Sequence, residues 1–157
     1  SEFGFSGSII TENLIDDAAT GISITNLDTD GQLAICANNI VRNITPRSEV
    51  NPDTMPVGIL AEAETAVTGN VVSNVPGVAI AAGWGRFLRN VSITDNVVEN
   101  SRIGIGVSVV DGAGPVHISG NLVAGATDGE VVGMEWTNVV EPDLAGNDGN
   151  YPNVTVR

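Results

Sequence analysis

The sequence predicts an all-β protein, a single-stranded right-handed parallel β-helix, or solenoid, of about five coils, and three observations carry that prediction. Valine and isoleucine recur in short alternating runs divided by Gly, Asn and Asp, the pattern of many short strands. No window sets apolar residues at three- and four-residue spacing over three turns, so helix is the minor state. An asparagine followed by two aliphatic residues returns at nearly regular intervals, which makes the runs members of a repeat.

The anchors are Asn13-Leu14-Ile15, Asn39-Ile40-Val41, Asn70-Val71-Val72, Asn96-Val97-Val98 and Asn121-Leu122-Val123, at intervals of 26, 31, 26 and 25 residues. Four residues after each stands Asp17, Asn43, Asn74, Asn100 or Gly125, a second column of small turn-forming residues. Before the anchor lies an alternating run, as in Val91-Ser92-Ile93-Thr94 and Val116-His117-Ile118-Ser119. After it comes a glycine and another run: Gly21-Ile22-Ser23-Ile24, Gly58-Ile59-Leu60-Ala61, Gly77-Val78-Ala79-Ile80, Gly104-Ile105-Gly106-Val107 and Gly133-Met134-Glu135-Trp136. Each repeat therefore carries about three short strands in roughly 25 residues, too little to bury its own apolar side, and repeats must stack on a shared core. There are too few leucines for a leucine-rich repeat. Strands that pair with their own copies one coil on, at about 4.8 Å, satisfy the pattern. The anchor asparagines then stack at a bend, where their amides bond neighbouring rungs and unpaired backbone groups. Two loops are expected, Ile44 to Val57 and Thr137 to Pro152, both rich in Pro, Asn and Asp.

Composition bounds the function. Hydrophobic residues make up 42 % and charged residues 16 %, enough apolar content to fold as one domain over residues 1–157. No apolar run approaches the ~20 residues needed to cross a bilayer, so no membrane span is expected. Six arginines, no lysine and 19 acidic residues give a net charge of −13, which repels a phosphate backbone and excludes nucleic acid as a natural partner. The single Cys36 excludes an internal disulfide and a multi-cysteine metal site, and it falls on an inward strand position.

The anchor-and-glycine pattern resembles the parallel β-helix repeat of pectate-lyase-like proteins over nearly the whole chain. The stretches GISITN, ETAVTGNVV, GWGRFLRNVSITDNVV, VSVVDGAGP and GMEW are similar to a family of bacterial twin-arginine-translocated repeat proteins of uncharacterised function. The resemblance implies a periplasmic or secreted location and a longer parent of which this chain is the carboxy-terminal part. Ser1-Glu2-Phe3 reads as a remnant foreign to the natural chain.

Alternation places the second and fourth residues after each repeat glycine outward: Ser23, Leu60, Ala79, Gly106, Glu135 and Thr25, Glu62, Ala81, Ser108, Thr137. Most are small. Such a face accepts a flat, extended ligand, and in the lyase-like relatives polysaccharide lies there by resemblance; equally, it accepts a covering loop or subunit. Glycosidase chemistry needs two carboxylates. Glu62 and Glu64, two apart on one strand, would stand about 7 Å apart, whereas Glu62 and Glu135 lie three rungs or about 14 Å apart, too far for one bond. Lyase chemistry needs a cation near the carbon acid, for which Arg86 beside Asp111 is the candidate. Trp84, Arg86 and Asp111 leave the same edge of consecutive coils and could form a sugar platform, with Glu135 on the neighbouring face. Alternatively Trp84 and Phe87 cover the core edge and Arg86 pairs with Asp111.

Asp28-Thr29-Asp30-Gly31 resembles a fragment of a calcium loop but lacks the third aspartate and the later glutamate, so a β-turn without metal or cofactor is expected, with calcium the lesser alternative. His117 faces outward beside Ser92 and Thr155 with no partner for a triad. Val154-Thr155-Val156 repeats the strand before an anchor without the anchor itself, which predicts an open final coil and either a homo-oligomer formed through it or a cap supplied by further sequence. The functional expectation is an exported module of the cell envelope that binds polysaccharide or serves as a rigid surface, without catalysis. The alternative is a polysaccharide hydrolase, lyase or epimerase acting along the strand face.

Overall fold

The structure, a computed structural model, describes residues 7–27, 29, 33–45 and 55–157. It is mostly β, with strands numbered in chain order. One sheet is wholly parallel and holds β1 (Ser8–Thr11), β4 (Ala34–Ala37), β7 (Thr65–Thr68), β9 (Val91–Thr94), β11 (Val116–Ser119) and β14 (Val154–Val156), in that order. The second runs β2 (Leu14–Asp16), β5 (Ile40–Arg42), β8 (Val71–Ala82), β10 (Val97–Ser108), β12 (Leu122–Glu135) and β13 (Asn138–Glu141). Beside β8 along another stretch lie β6 (Val57–Ala61) and then β3 (Thr20–Ile24). Each strand up to β12 thus pairs with its own equivalent in the adjacent repeat, in parallel. The step from β12 to β13 is antiparallel and makes the second sheet mixed.

Alternation decides what is inside. In the first sheet Ile10, Cys36, Val67, Ile93, Ile118 and Val156 stand in register, and in the second Ile15, Val41, Val72, Val98 and Val123 do. These columns meet in one continuous core. Cys36 is fully buried there, and burial pushes its thiol up to about 11. β-Branched side chains suit this stacking because few rotamers are lost when they lie above their own kind.

The corners are set by backbone conformation. Asp17, Asn43, Asn74 and Asn100 adopt φ between 53° and 61°, with Gly125 completing the column at 69°. A second such column precedes the anchors: Glu12, Asn38, Gly69, Asp95 and Gly120. Asn, Asp and Gly tolerate this left-handed region best, which explains the composition of the bends. Between these two corners the anchors form a ladder. The backbone N and Nδ2 of Asn39 both donate to Asn70 Oδ1, at 3.0 and 2.9 Å. Asn70 does the same to Asn96, Asn96 to Asn121, and Asn13 to Asn39. The remaining amide proton of Asn70 goes to the carbonyls of Cys36 and Thr68. Asn39, Asn70 and Asn96 are almost fully buried with their amides satisfied.

The structure corrects the expected register in two repeats. The true partners of Gly21 and Gly58 are Ala79, Gly104 and Glu130, since Ile22, Ile59, Ile80, Ile105 and Val131 form one column. Gly77 and Gly133 are therefore not equivalent to the other repeat glycines. Ala79 points into the core, while Val78 and Ala81 lie on the outer face. The reason is one extra residue between the corner and the strand: Val75 to Val78 spans the step that Ser101 to Ile103 covers, and Ala126 to Gly129 repeats the insertion. Two of the three expected strands also merge, giving the bent β8, β10 and β12 of 12, 12 and 14 residues.

The loop expected from Thr137 to Pro152 is instead β13, the short helix α1 (Leu144–Asn147) and a 3₁₀ turn at Asp148–Asn150. Asp143 caps α1 by accepting from Gly146 N at 3.0 Å. Leu144 is fully buried in the core, Tyr151 packs beside it, and Asp148 accepts from Val156 N. This segment thus lies against part of the final repeat, while β14 remains at the edge of the first sheet, paired with β11 alone. In the loop expected from Ile44 to Val57, residues 46–54 lie outside the described residues. Asp28, Asp30 and Gly31 do as well, and so do the first three residues.

Asn70→Ala removes the acceptor of two buried N–H groups and the donor of two carbonyls, so it is expected to cost about 3 kcal/mol or more in denaturant unfolding. Asn74→Gly, at a bend with left-handed φ and an exposed amide, is expected to stay within about 1 kcal/mol.

Candidate functional site

The register of β3, β6, β8, β10 and β12 brings small and apolar residues to one outer surface. Ser23, Leu60, Ala81, Gly106 and Val132 share a column. Val78, Ala81, Ile103, Val132 and Met134 form a second apolar cluster, separate from the main core, with Met55, Val57, Leu60 and Val139 packed on it. A Cβ at Gly106 would stand 2.6 Å from Met134 Sδ, so glycine leaves room for the Met134 chain to lie across the strand where a larger residue would make it shift. The result is a cleft of about 460 Å³, within the usual range of small-ligand sites.

Two tryptophans flank this cleft. Trp84 precedes a 3₁₀ turn at Gly85–Phe87, and Trp136 occupies the two-residue turn between β12 and β13. Their rings meet edge to face, 5.3 Å between centroids at 72°. Trp136 also lies directly over Gly85, whose φ is +55° and where a Cβ would fall within 2.3 Å of the ring. Ser108 Oγ holds that turn by donating to the Gly85 carbonyl at 2.8 Å. Trp136 itself has φ +56°, a conformation costing a bulky residue roughly 1–3 kcal/mol. Both rings keep exposed faces, 37 % for Trp84 and 46 % for Trp136.

Glu62 supplies the cleft's carboxyl. Expected on an exposed strand face, it is 5 % exposed, with Asn26 N donating to its Oε2 at 2.8 Å. Burial pushes its carboxyl above the ordinary value near 4.5, against smaller opposing effects from the Asn26 N–H and the Arg89 charge. Glu64, at φ +52°, pairs with Arg89 Nε at 3.2 Å and accepts from Asn26 Nδ2, so both glutamates bond Asn26. Glu64 is engaged in a structural ion pair, whereas Glu62 has no ion pair among the described residues.

The other predicted site residues stand in different surroundings. Arg86 is exposed, with its guanidinium 5.5 Å from the Phe87 ring centroid. Asp111 is exposed in a different, smaller cleft with Asn150 and Tyr151. The ion pairs among the described residues join Arg42 to Asp16, Arg89 to Glu64 and Arg102 to Asp128, and neither Arg86 nor Asp111 takes part. Trp84 and Asp111 line different clefts, while Gly114 N bonds Leu88 O across the two loops at 2.8 Å. Glu135 is exposed at the end of β12 opposite Asn138, outside the cleft lining. His117 stands outward between Ser92 and Thr155, as its column predicts. Trp136, Met134 and Met55 were not singled out by sequence reasoning. A pattern of two tryptophans, each in a turn just after its repeat's last strand, was the available signal for the first of them.

Among the described residues no group of three or more His, Cys, Asp or Glu side chains is placed to hold a metal ion, and no helix is long and apolar enough to cross a membrane. The chain matches no protein-family model, no curated protein and no solved structure.

Because Glu62 holds its proton more tightly in the folded chain than in the unfolded one, its contribution to stability is full below about pH 4.5 and is lost as pH rises through the folded value. The stability of the native chain is therefore expected to fall relative to Glu62→Gln between pH 4.5 and neutrality. Matched denaturant titrations of the two proteins check this; parallel pH profiles would show that the carboxyl titrates alike in both states.

Proposed function

We propose that the chain is a right-handed parallel β-helix module of the cell envelope, exported as its repeat resemblance implies, which binds a neutral polysaccharide without cleaving it. Parallel pairing of strands with their copies 21 to 38 residues away supports the β-helix. The observation that carries the binding reading is the Trp84 and Trp136 pair beside the glycine-floored cleft. An aromatic ring stacks on the apolar face of a pyranose, while the Glu62 carboxyl and the Ser23 and Ser108 hydroxyls offer hydrogen bonds to its rim.

The charge of the cleft favours neutral sugars over uronates. Among the described residues its lining contains no Arg or Lys, and the whole chain carries −13, which disfavours a polyanion there. The chemistry of the lining favours binding over hydrolysis. Glycosidic cleavage calls for two carboxyl groups across the scissile bond, and among the described residues Glu62 is the lone carboxyl lining the cleft.

Calorimetric titration with neutral oligosaccharides of several linkages, and with oligogalacturonate as the charged control, tests the reading. Saturable binding of a neutral glycan is expected. Trp84→Ala is expected to weaken it about tenfold, the scale of one stacking contact near 1.4 kcal/mol. Trp136→Gly is expected to weaken it similarly, with stability held within about 1 kcal/mol because glycine relieves the left-handed turn. Absence of saturable glycan binding, or binding that survives both substitutions, overturns the site. Release of reducing ends or of unsaturated uronate overturns the non-catalytic assignment.

A further inference from the structure

The register of the second sheet sets Leu14, Ile40, Val71, Val97 and Leu122 in one outward column, one residue per rung. Four of them are 41 to 63 % exposed and Val97 is half-buried. At about 4.8 Å per rung the stripe is roughly 19 Å long. Single exposed aliphatics are ordinary on any protein, but an unbroken row of five is the kind of patch that a partner covers. It lies on a different stretch of the strands from the tryptophan cleft and shares no residue with it.

The flanks of the stripe indicate the partner. The next outward position along the same strands reads Asp16, Arg42, Ser73, Glu99 and Ala124 from the first rung to the fifth. The opposite flank carries the bend residues Glu12, Asn38, Gly69, Asp95 and Gly120. We propose that this stripe is the interface with a second copy of the chain, related by a two-fold axis that crosses the stripe at Val71. Rotation about that axis runs the two stripes antiparallel and keeps each flank facing its own kind. Leu14 then meets Leu122, Ile40 meets Val97 and Val71 meets itself. On one flank Arg42 meets Glu99 twice, once from each copy, and Asp16 meets Ala124. On the other, Glu12 meets Gly120, Asn38 meets Asp95, and Gly69 at the centre permits close approach. The alternative two-fold along the stripe would set Asp16 beside Glu12 and Glu99 beside Asp95, opposing like charges, so charge selects the antiparallel arrangement. Arg42 already bonds Asp16 at 2.8 Å, but a guanidinium has five donors and accommodates a second carboxylate. Glu99 takes part in no ion pair among the described residues.

Sedimentation velocity of the full chain across a concentration series, in about 0.15 M salt where distant charges are screened, tests the proposal. A concentration-dependent dimer is expected. Val71→Glu is expected to leave a monomer with an unchanged thermal melt; should that variant melt early, Leu122→Gln, at the largely exposed end of the stripe, is the substitute. Arg42→Glu and Glu99→Arg are each expected to weaken association at least tenfold, and the double exchange to restore it. A wild-type chain that stays monomeric at about 100 µM, or a dimer indifferent to the stripe substitutions, overturns the interface. Failure of the double exchange to restore association overturns the antiparallel arrangement.

Discussion

The buried row of asparagine amides is the constraint on which the rest of the structure depends. An amide taken out of water without partners would cost several kcal/mol, so each rung is tolerated only when the next is in register with it. Asn39, Asn70 and Asn96 meet that condition by giving two protons to the next carbonyl oxygen and the other to backbone carbonyls of the preceding strand. A slip of one residue would bury an aliphatic chain in the polar row and turn out every valine behind it. The ladder therefore fixes the phase of both sheets at once. Apolar burial then supplies the bulk of the stabilisation, although it is indifferent to register.

The cleft is a consequence of that phase lock. Strands fixed at the anchor reach the far face with their small residues aligned, and Gly106 opens room for Met134 to lie flat. The extra residue in β8 and β12 shifts which side chains arrive there without disturbing the anchor. Covering of Glu62 by its surroundings turns an ordinary strand carboxyl into one that resists ionisation. The aromatic pair is held by turns, not by strands, and the left-handed backbone at both Gly85 and Trp136 is what brings one ring over the other's turn.

Much of this was legible in the sequence. The five anchors and the turn column four residues on state the repeat length, and the observed pairing follows both. Cys36 and His117 fell on the faces that alternation assigned to them. The register after Gly77 and Gly133 was not legible, because alternation carries no memory across an inserted residue and a glycine can stand in either phase. The folded segment from Thr137 to Pro152 was hidden for a different reason: its composition is that of a loop, and only the single buried Leu144 and the cap at Asp143 reveal otherwise. The cleft was half legible. Its small floor and Trp84 could be read, whereas the meeting of Trp84 with Trp136 joins residues 52 positions apart through tertiary packing alone. Arg86 and Asp111 leave strand ends on consecutive repeats, and the 3₁₀ turn sets Arg86 over Phe87 without an ion pair to Asp111.

The asparagine row also has a direction. In each side-chain-to-side-chain bond the accepting carbonyl points toward the preceding repeat and the donating N–H toward the following one, so these bonds run head to tail along the row as peptide dipoles do in a helix. Partial negative charge gathers at the Asn13 end and partial positive charge at the Asn121 end. Hydrogen bonds aligned this way polarise one another. The molecule is thus electrically polar along the stacking axis in its interior, independently of the acidic residues that dominate its surface.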